Sequence, residues 1–288
     1  MSDPAWRRTL LAFAQPSALS VFFFGFGCGL PFLLVGYTLS IRLREAGFDL
    51  GAIGLVSYIS LLYTFKFVWS PWLDWRHMPL FGRLGRRRGW LVVAQLLVGA
   101  ALAAMAVCEP SPASFDGFLV LMALAAFAGA TQATVVDAFR IEIAPPEQQG
   151  ALAATYSFGY RLGLICGGAG ALYLADVADW RSAYLAMAAL MAAPVVATLL
   201  SPEPAEERVA ATLRAAPASL DAFVGPFVEF FRRNGLALAL LLIAPGLALV
   251  AEFIEFIDNA FYVSKIHATT PYQNINIYIY IYCKSICQ

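Results

Sequence analysis

A neutral chain of 288 residues, 60% hydrophobic and only 13% charged, is too apolar for a soluble domain, whose surface needs more polar residues. Its mean hydropathy of +0.71 points to a lipid bilayer as partner, and its zero net charge gives no global argument for nucleic acid. The five cysteines follow no zinc or disulfide spacing. Cys28, Cys108 and Cys166 fall in or beside apolar runs and read as small core residues, so neither metal nor cofactor is expected.

A crossing helix needs about 20 apolar residues. Arg7 and Arg8 precede the first apolar run, which has no convincing cleavage site and reads as an uncleaved span. Predicted spans cover residues 19–41, 51–73, 89–108, 117–139, 151–175, 182–200 and 236–257. Trp69, Trp72 and Trp75 recur at helical spacing, and Trp90 opens the next segment; such rings prefer the headgroup level. The expected fold is an all-α polytopic membrane protein with a six-helix bundle over 1–200. A polar linker follows over 201–235, and its second half sets Leu220, Phe223, Phe227, Phe230 and Phe231 near one face, as a short interfacial helix or an ordinary lead-in to the seventh span. A seventh helix over 236–258 and an atypical tail over 259–288 complete the chain. The tail run 274–282, NINIYIYIY, alternates like an aggregation-prone strand.

Charge is sorted by position. Arg76, Arg83, Arg86, Arg87 and Arg88 lie in the second connection, Arg140 in the fourth, and Arg208, Arg214, Arg232 and Arg233 in the sixth. The other side has only Arg42, Arg44 and Arg181. The positive-inside bias puts the N-terminus and the even-numbered connections in the cytoplasm.

Six short-looped spans, a long cytoplasmic linker and a new span form the layout of a transporter built from two six-helix halves. The chain stops where the second half should begin, and reads as a truncated form whose partner is the missing half or a second copy of itself.

Charges inside spans are costly and usually face a cavity. Lys66 lies about two turns from the cytoplasmic end of the second helix, and either lines a cavity or snorkels to the interface. Asp137 and Arg140 are three residues apart on one helix face and can pair as a structural or gating unit. Arg161 sits about 15 Å into the fifth helix, too deep to snorkel easily, and is the expected cavity cation. Gly159, Gly163 and Gly167 recur every four residues and form a flat stripe for close helix approach. Gly29-Leu30-Pro31 should bend the first helix.

Asp74 followed by Gly82-Arg83-Leu84-Gly85-Arg86-Arg87-Arg88 resembles the loop between the second and third helices of major facilitator superfamily transporters, with residues 77–81 as an insertion. That resemblance implies a latch between two halves, with Asp74, Gly85, Arg86, Arg87 and Arg88 as gating residues. Further segments are similar to AmpG-type muropeptide permeases: GFGCGLP at 25–31, YTFKFVWSPWLD at 63–74, GRRRGW at 85–90, VVDAFRIE at 135–142, GYRLG at 159–163 and LYLAD at 172–176.

The similarity runs from about Leu19 to Pro204. It implies proton-driven import of anhydro-muropeptides, which are sugar-peptides from the cell wall, across the bacterial inner membrane. On that basis Arg161 would take substrate carboxylates, with Gln132, Thr131 and Tyr160 as neutral partners. The family usually carries an acid after its Thr/Ser-Gln pair, where this chain has Ala133; Asp137 and Lys66 are the remaining candidates for proton coupling. A carrier of another anionic metabolite, such as acetyl-coenzyme A, and a non-transporting fragment stand as alternatives. An enzyme is not expected, because His77 and His267 lie outside the spans and no catalytic set is present at depth.

Overall fold

A computed structural model of the chain describes residues 15–75, 78, 84–112, 114–145, 148–204, Val228 and Arg232. The expected linker helix, seventh span and tail lie outside these residues. Apart from Val228 and Arg232, the described residues belong to one of two compact units of the chain.

Every element among the described residues is helical. The first span consists of α1 (Pro16–Val35) and α2 (Tyr37–Glu45), separated at Gly36. The third is α6 (Arg86–Val107) and the fourth α7 (Phe115–Ile143). The sixth consists of α10 (Trp180–Leu190) and α11 (Ala192–Leu200). These four spans are long and apolar enough to cross a membrane.

The second predicted span is not one continuous helix. It is divided into α3 (Leu50–Ser57), α4 (Leu61–Thr64) and α5 (Ser70–Trp75), with 3-10 turns at Tyr58–Ser60 and Phe65–Val68. Glycine, β-branched and aromatic residues lower helix propensity here. Pro71 has no N–H to give the carbonyl one turn earlier. The fifth span is α8 (Gln149–Ile165) and α9 (Ala171–Val177), joined by a π turn at Cys166–Gly170, sequence CGGAG.

Glycines set the packing of the first span against the fifth. A Cβ added to Gly25 would strike the Tyr156 carbonyl, and one on Gly29 the Tyr160 carbonyl. Conversely, a Cβ on Gly159 would meet the Phe22 carbonyl, one on Gly163 the Phe26 carbonyl and one on Gly167 the Leu30 carbonyl. The two helices therefore touch backbone to backbone along a reciprocal glycine seam. Between helices in lipid, such packing replaces the hydrophobic drive available in water. The seam continues into the π turn, where Thr38 Oγ1 donates to Gly167 O at 2.9 Å.

Three apolar clusters fill the rest of the bundle, two larger and a small one of Ala18, Val21, Ala144 and Leu152. One of the larger pair joins Leu30, Leu34 and Leu39 to Val98, Leu102, Phe118, Met122 and Tyr184. The other gathers Phe24, Leu73, Trp90, Leu91, Val135 and Phe139. Arg42 closes the first cluster at the bundle end opposite the arginine loop. It is only 3% exposed and donates to Met105 O at 2.8 Å and Cys108 O at 3.2 Å. Its guanidinium lies 4.7 Å from the Tyr184 ring centre. A cation on the last carbonyls of a helix complements the helix dipole. Asp179 caps α10 by accepting from Ser182 N at 2.6 Å, and that hydrogen bond holds its carboxyl below the usual range.

Overpacking a tight contact costs about 1–3 kcal/mol, so Gly29→Val and Gly163→Val should each lower the unfolding temperature of detergent-purified protein. Gly54→Ala, where an added Cβ meets nothing within 4 Å, should not. Wild-type unfolding by Gly163→Val would exclude the seam.

Candidate functional site

The second, fourth and fifth spans bring four charged or aromatic side chains together. Lys66, on the turn Phe65–Val68, places Nζ 3.2 Å from Asp137 Oδ2 on α7. Both remain partly exposed, at 36% and 45%. Arg140, one turn further along α7, lies 4.0 Å from Asp137 Oδ1. Its guanidinium sits 5.1 Å from the Tyr156 ring centre on α8. Two cations thus share one carboxylate, and the cluster has a net positive charge suited to an anionic group.

Aromatic rings continue from the cluster. Tyr156 and Tyr160 are nearly parallel, 21° apart, with centres at 6.1 Å. Phe32 of α1 follows, 6.5 Å from Tyr160, and Tyr63 of α4 lies 5.2 Å from Phe32.

The four residues expected to bind substrate divide into two groups. Tyr160 is half-buried on the aromatic row, and Arg161 is exposed beside it in sequence, on the α8 face turned away from the seam. Arg161 makes no ion pair with the described residues. Thr131 and Gln132 are enclosed instead, at 6% and 0% exposure. Thr131 Oγ1 accepts from Trp69 Nε1 at 3.1 Å and donates to Phe127 O at 2.8 Å. Gln132 Nε2 lies 3.7 Å from Cys28 Sγ, against Gly27 and Pro194. It therefore sits between the first, fourth and sixth spans.

The arginines expected to gate are engaged within the bundle. Arg87 donates from Nε to Glu142 Oε2 at 2.9 Å and from Nη2 to Glu142 Oε1. Arg86 Nη2 donates to the same Oε1 at 3.3 Å. All three side chains are buried.

Glu203, just beyond the sixth span, accepts from Arg87 N at 2.8 Å and Arg88 N at 3.2 Å. Its carboxylate thereby caps the N-terminus of α6. Arg88 returns the favour, donating from Nε to Thr198 O at 3.0 Å and from Nη2 to Leu199 O. Gly85, at φ +101°, turns the chain into α6, and a Cβ there would collide with Glu203. The Asp74 side chain, Arg83 and residues 79–82 lie outside the described residues.

Glu142 and Glu203 carry this network, yet the sequence reading gave neither a role. Glu142 ends the segment VVDAFRIE, 55 positions from Arg87 in sequence, and Glu203 lies in SPEP at the start of the expected linker, so neither is marked by spacing. Among the described residues, no three His, Cys, Asp or Glu side chains converge as a metal would require.

A bundle of membrane-crossing helices with a partly exposed charged cluster and an arginine knot at one end defines the class. The chain belongs to the Major Facilitator Superfamily, whose pattern matches residues 17–273. That family is made up of transporters rather than enzymes. The chain is 40% identical over 235 residues to the anhydromuropeptide permease of Escherichia coli K12, covering 81% of this chain and 46% of the permease. It is 29% identical over 258 residues to the putative transporter AmpG 4 of Rickettsia conorii, covering 89% of this chain and 62% of that protein. An uncharacterized protein of Haemophilus influenzae is 34% identical over 220 residues. The chain thus spans about half the length of the relatives it matches.

Removing one partner of a buried ion pair costs about 3–5 kcal/mol. Glu142→Gln should therefore destabilise the detergent-purified protein more than Asp137→Asn, because Asp137 and its partners are partly exposed. Equal unfolding temperatures for the two variants would remove Glu142 from that role.

Proposed function

We propose that this chain forms one half of a secondary active carrier that imports anhydro-muropeptides across the bacterial inner membrane. The observation that carries the reading is the cluster of Lys66, Asp137 and Arg140 at 3.2 and 4.0 Å, joined to a row of aromatic rings, in a chain similar to a permease of that name. A muropeptide combines sugar rings with carboxylates, and this face offers ring surfaces beside cations. Arg161 supplies a further guanidinium, whose planar fork suits a carboxylate. Thr131 and Gln132 support the site from behind, Thr131 by holding Trp69.

Proton coupling follows from the sharing of one carboxylate. With Asp137 ionised, Lys66 and Arg140 are partly neutralised. A proton on Asp137 would leave both cations for the substrate, so proton and anion would bind together. The arginine knot and Asp74 act at the cytoplasmic end, where Arg86, Arg87, Arg88 and Gly85 fix the ends of three spans against which a latch closes. The N-terminus and the 201–235 linker are cytoplasmic on this reading. The opposing wall comes from a second half or a second copy. A carrier of another anionic metabolite would use the same cations and would not need the ring row.

The test of function is a chimera in which this chain replaces the matching stretch of the E. coli permease. Labelled anhydro-muropeptide uptake should depend on the proton gradient, and Arg161→Ala should abolish it while membrane insertion persists. Arg161→Lys should restore it in part. Full uptake by Arg161→Ala would demote Arg161 to a structural role. For orientation, Arg83→Cys should resist an impermeant thiol reagent added to intact cells; labelling from outside would invert the topology.

A further inference from the structure

We propose that Phe32, Tyr160 and Tyr156 form a saccharide platform, and that the adjacent Lys66–Asp137–Arg140 cluster holds the charged peptide of the same ligand. The inference rests on the transport reading above and divides its substrate between two subsites.

The first argument is depth. Tyr160 lies eleven residues beyond the start of the fifth span at Gln149, about 16 Å along the helix axis. Phe32 lies sixteen residues beyond the start of the first span at Pro16. Tyrosines that anchor helices in lipid sit at the headgroup level, because their hydroxyl seeks water. Two tyrosines well inside a span, with rings 21° from parallel, are poorly explained as lipid anchors.

The second argument is placement. The Tyr156 and Tyr160 backbones lie against Gly25 and Gly29, so the seam fixes the distance between their rings and Phe32. That row is preorganised: its geometry comes from backbone contact, and a ligand would not have to build it. Phe32 is 41% exposed, and both tyrosines are partly exposed.

The third is chemistry. A pyranose has apolar faces edged by hydroxyls. Its C–H groups complement the negative face of an aromatic ring. A peptide backbone has no comparable flat apolar face. Arg140 marks the boundary, contacting the Tyr156 ring at 5.1 Å on one side and Asp137 at 4.0 Å on the other. Sugar and peptide therefore fit in a fixed order along the face, with the peptide toward α7.

The experiment uses the 288-residue chain in lipid nanodiscs and three probes: an uncharged di-N-acetyl amino-sugar disaccharide, an acidic tripeptide without sugar, and an intact anhydro-muropeptide. Tyr160→Leu and Phe32→Leu should each weaken binding of the disaccharide and the muropeptide about tenfold, the worth of one good ring contact. Tripeptide binding should not change. Tyr160→Phe, which keeps the ring, should hold disaccharide affinity close to wild type. Circular dichroism identifies a variant that has lost its helices, and the second leucine variant then decides.

Equal losses for sugar and tripeptide, or no loss for either, would overturn the platform while leaving muropeptide transport standing. Ring-dependent binding of the disaccharide without muropeptide binding would keep the platform and sink the transport reading. A wild-type chain that binds no saccharide at all would overturn the platform, and the uptake assay in the chimera would decide the transport reading separately.

Discussion

Backbone contact between the first and fifth spans is the constraint on which the rest depends. In lipid, apolar side chains gain little by leaving their surroundings, so helices associate where their backbones can approach closely. Five glycines on two helices provide that approach, each without the Cβ that would strike the opposite carbonyl. Once the seam is set, Tyr156 and Tyr160 have a fixed position relative to Phe32. Arg140 of the fourth span then finds the Tyr156 ring, and Asp137 finds Lys66. The charged face is a consequence of helix packing, with Lys66 delivered by the second span and Asp137 and Arg140 by the fourth.

The two ends of the bundle use cations differently. At one end, Arg86, Arg87 and Arg88 join three spans through Glu142, Glu203 and the final carbonyls of α11. At the other, Arg42 joins the first span to the last carbonyls of the third, with its charge over Tyr184 and Phe118. Guanidinium suits both tasks because its fork satisfies several acceptors and its plane stacks on rings. Between these ends lies the partly exposed group of Lys66, Asp137 and Arg140, whose charges are not closed off. That contrast separates charges closed within the bundle from charges left partly exposed.

Much of this was legible in the sequence, for physical reasons. Apolar runs of crossing length located the spans, and the four-residue glycine spacing announced close packing on the fifth. The pairing of Asp137 with Arg140 followed from helical periodicity. The Lys66–Asp137 pair did not, because it joins residues 71 positions apart and needs the packing of two spans.

Burial was the least legible property. Arg42 was counted as a charge beyond the membrane, and the fold encloses it. Thr131 and Gln132 had the chemistry of ligand groups, but helix rotation turned Gln132 toward Gly27 and Cys28. Single-sequence periodicity cannot fix that rotation when a helix is apolar on every side. The broken second span was missed for a related reason: hydropathy registers a run of apolar residues but not the low helix propensity of its glycines and aromatics.

The central claim is that Lys66 and Asp137 meet on a face that the substrate occupies. It is tested most directly by exchanging the two charges, with Lys66→Asp and Asp137→Lys made singly and together in the chimera with the E. coli permease and anhydro-muropeptide uptake as the readout. Loss of uptake in each single variant and partial recovery in the double variant is the result predicted. Normal uptake by either single variant, or no recovery in the double variant, would contradict the account.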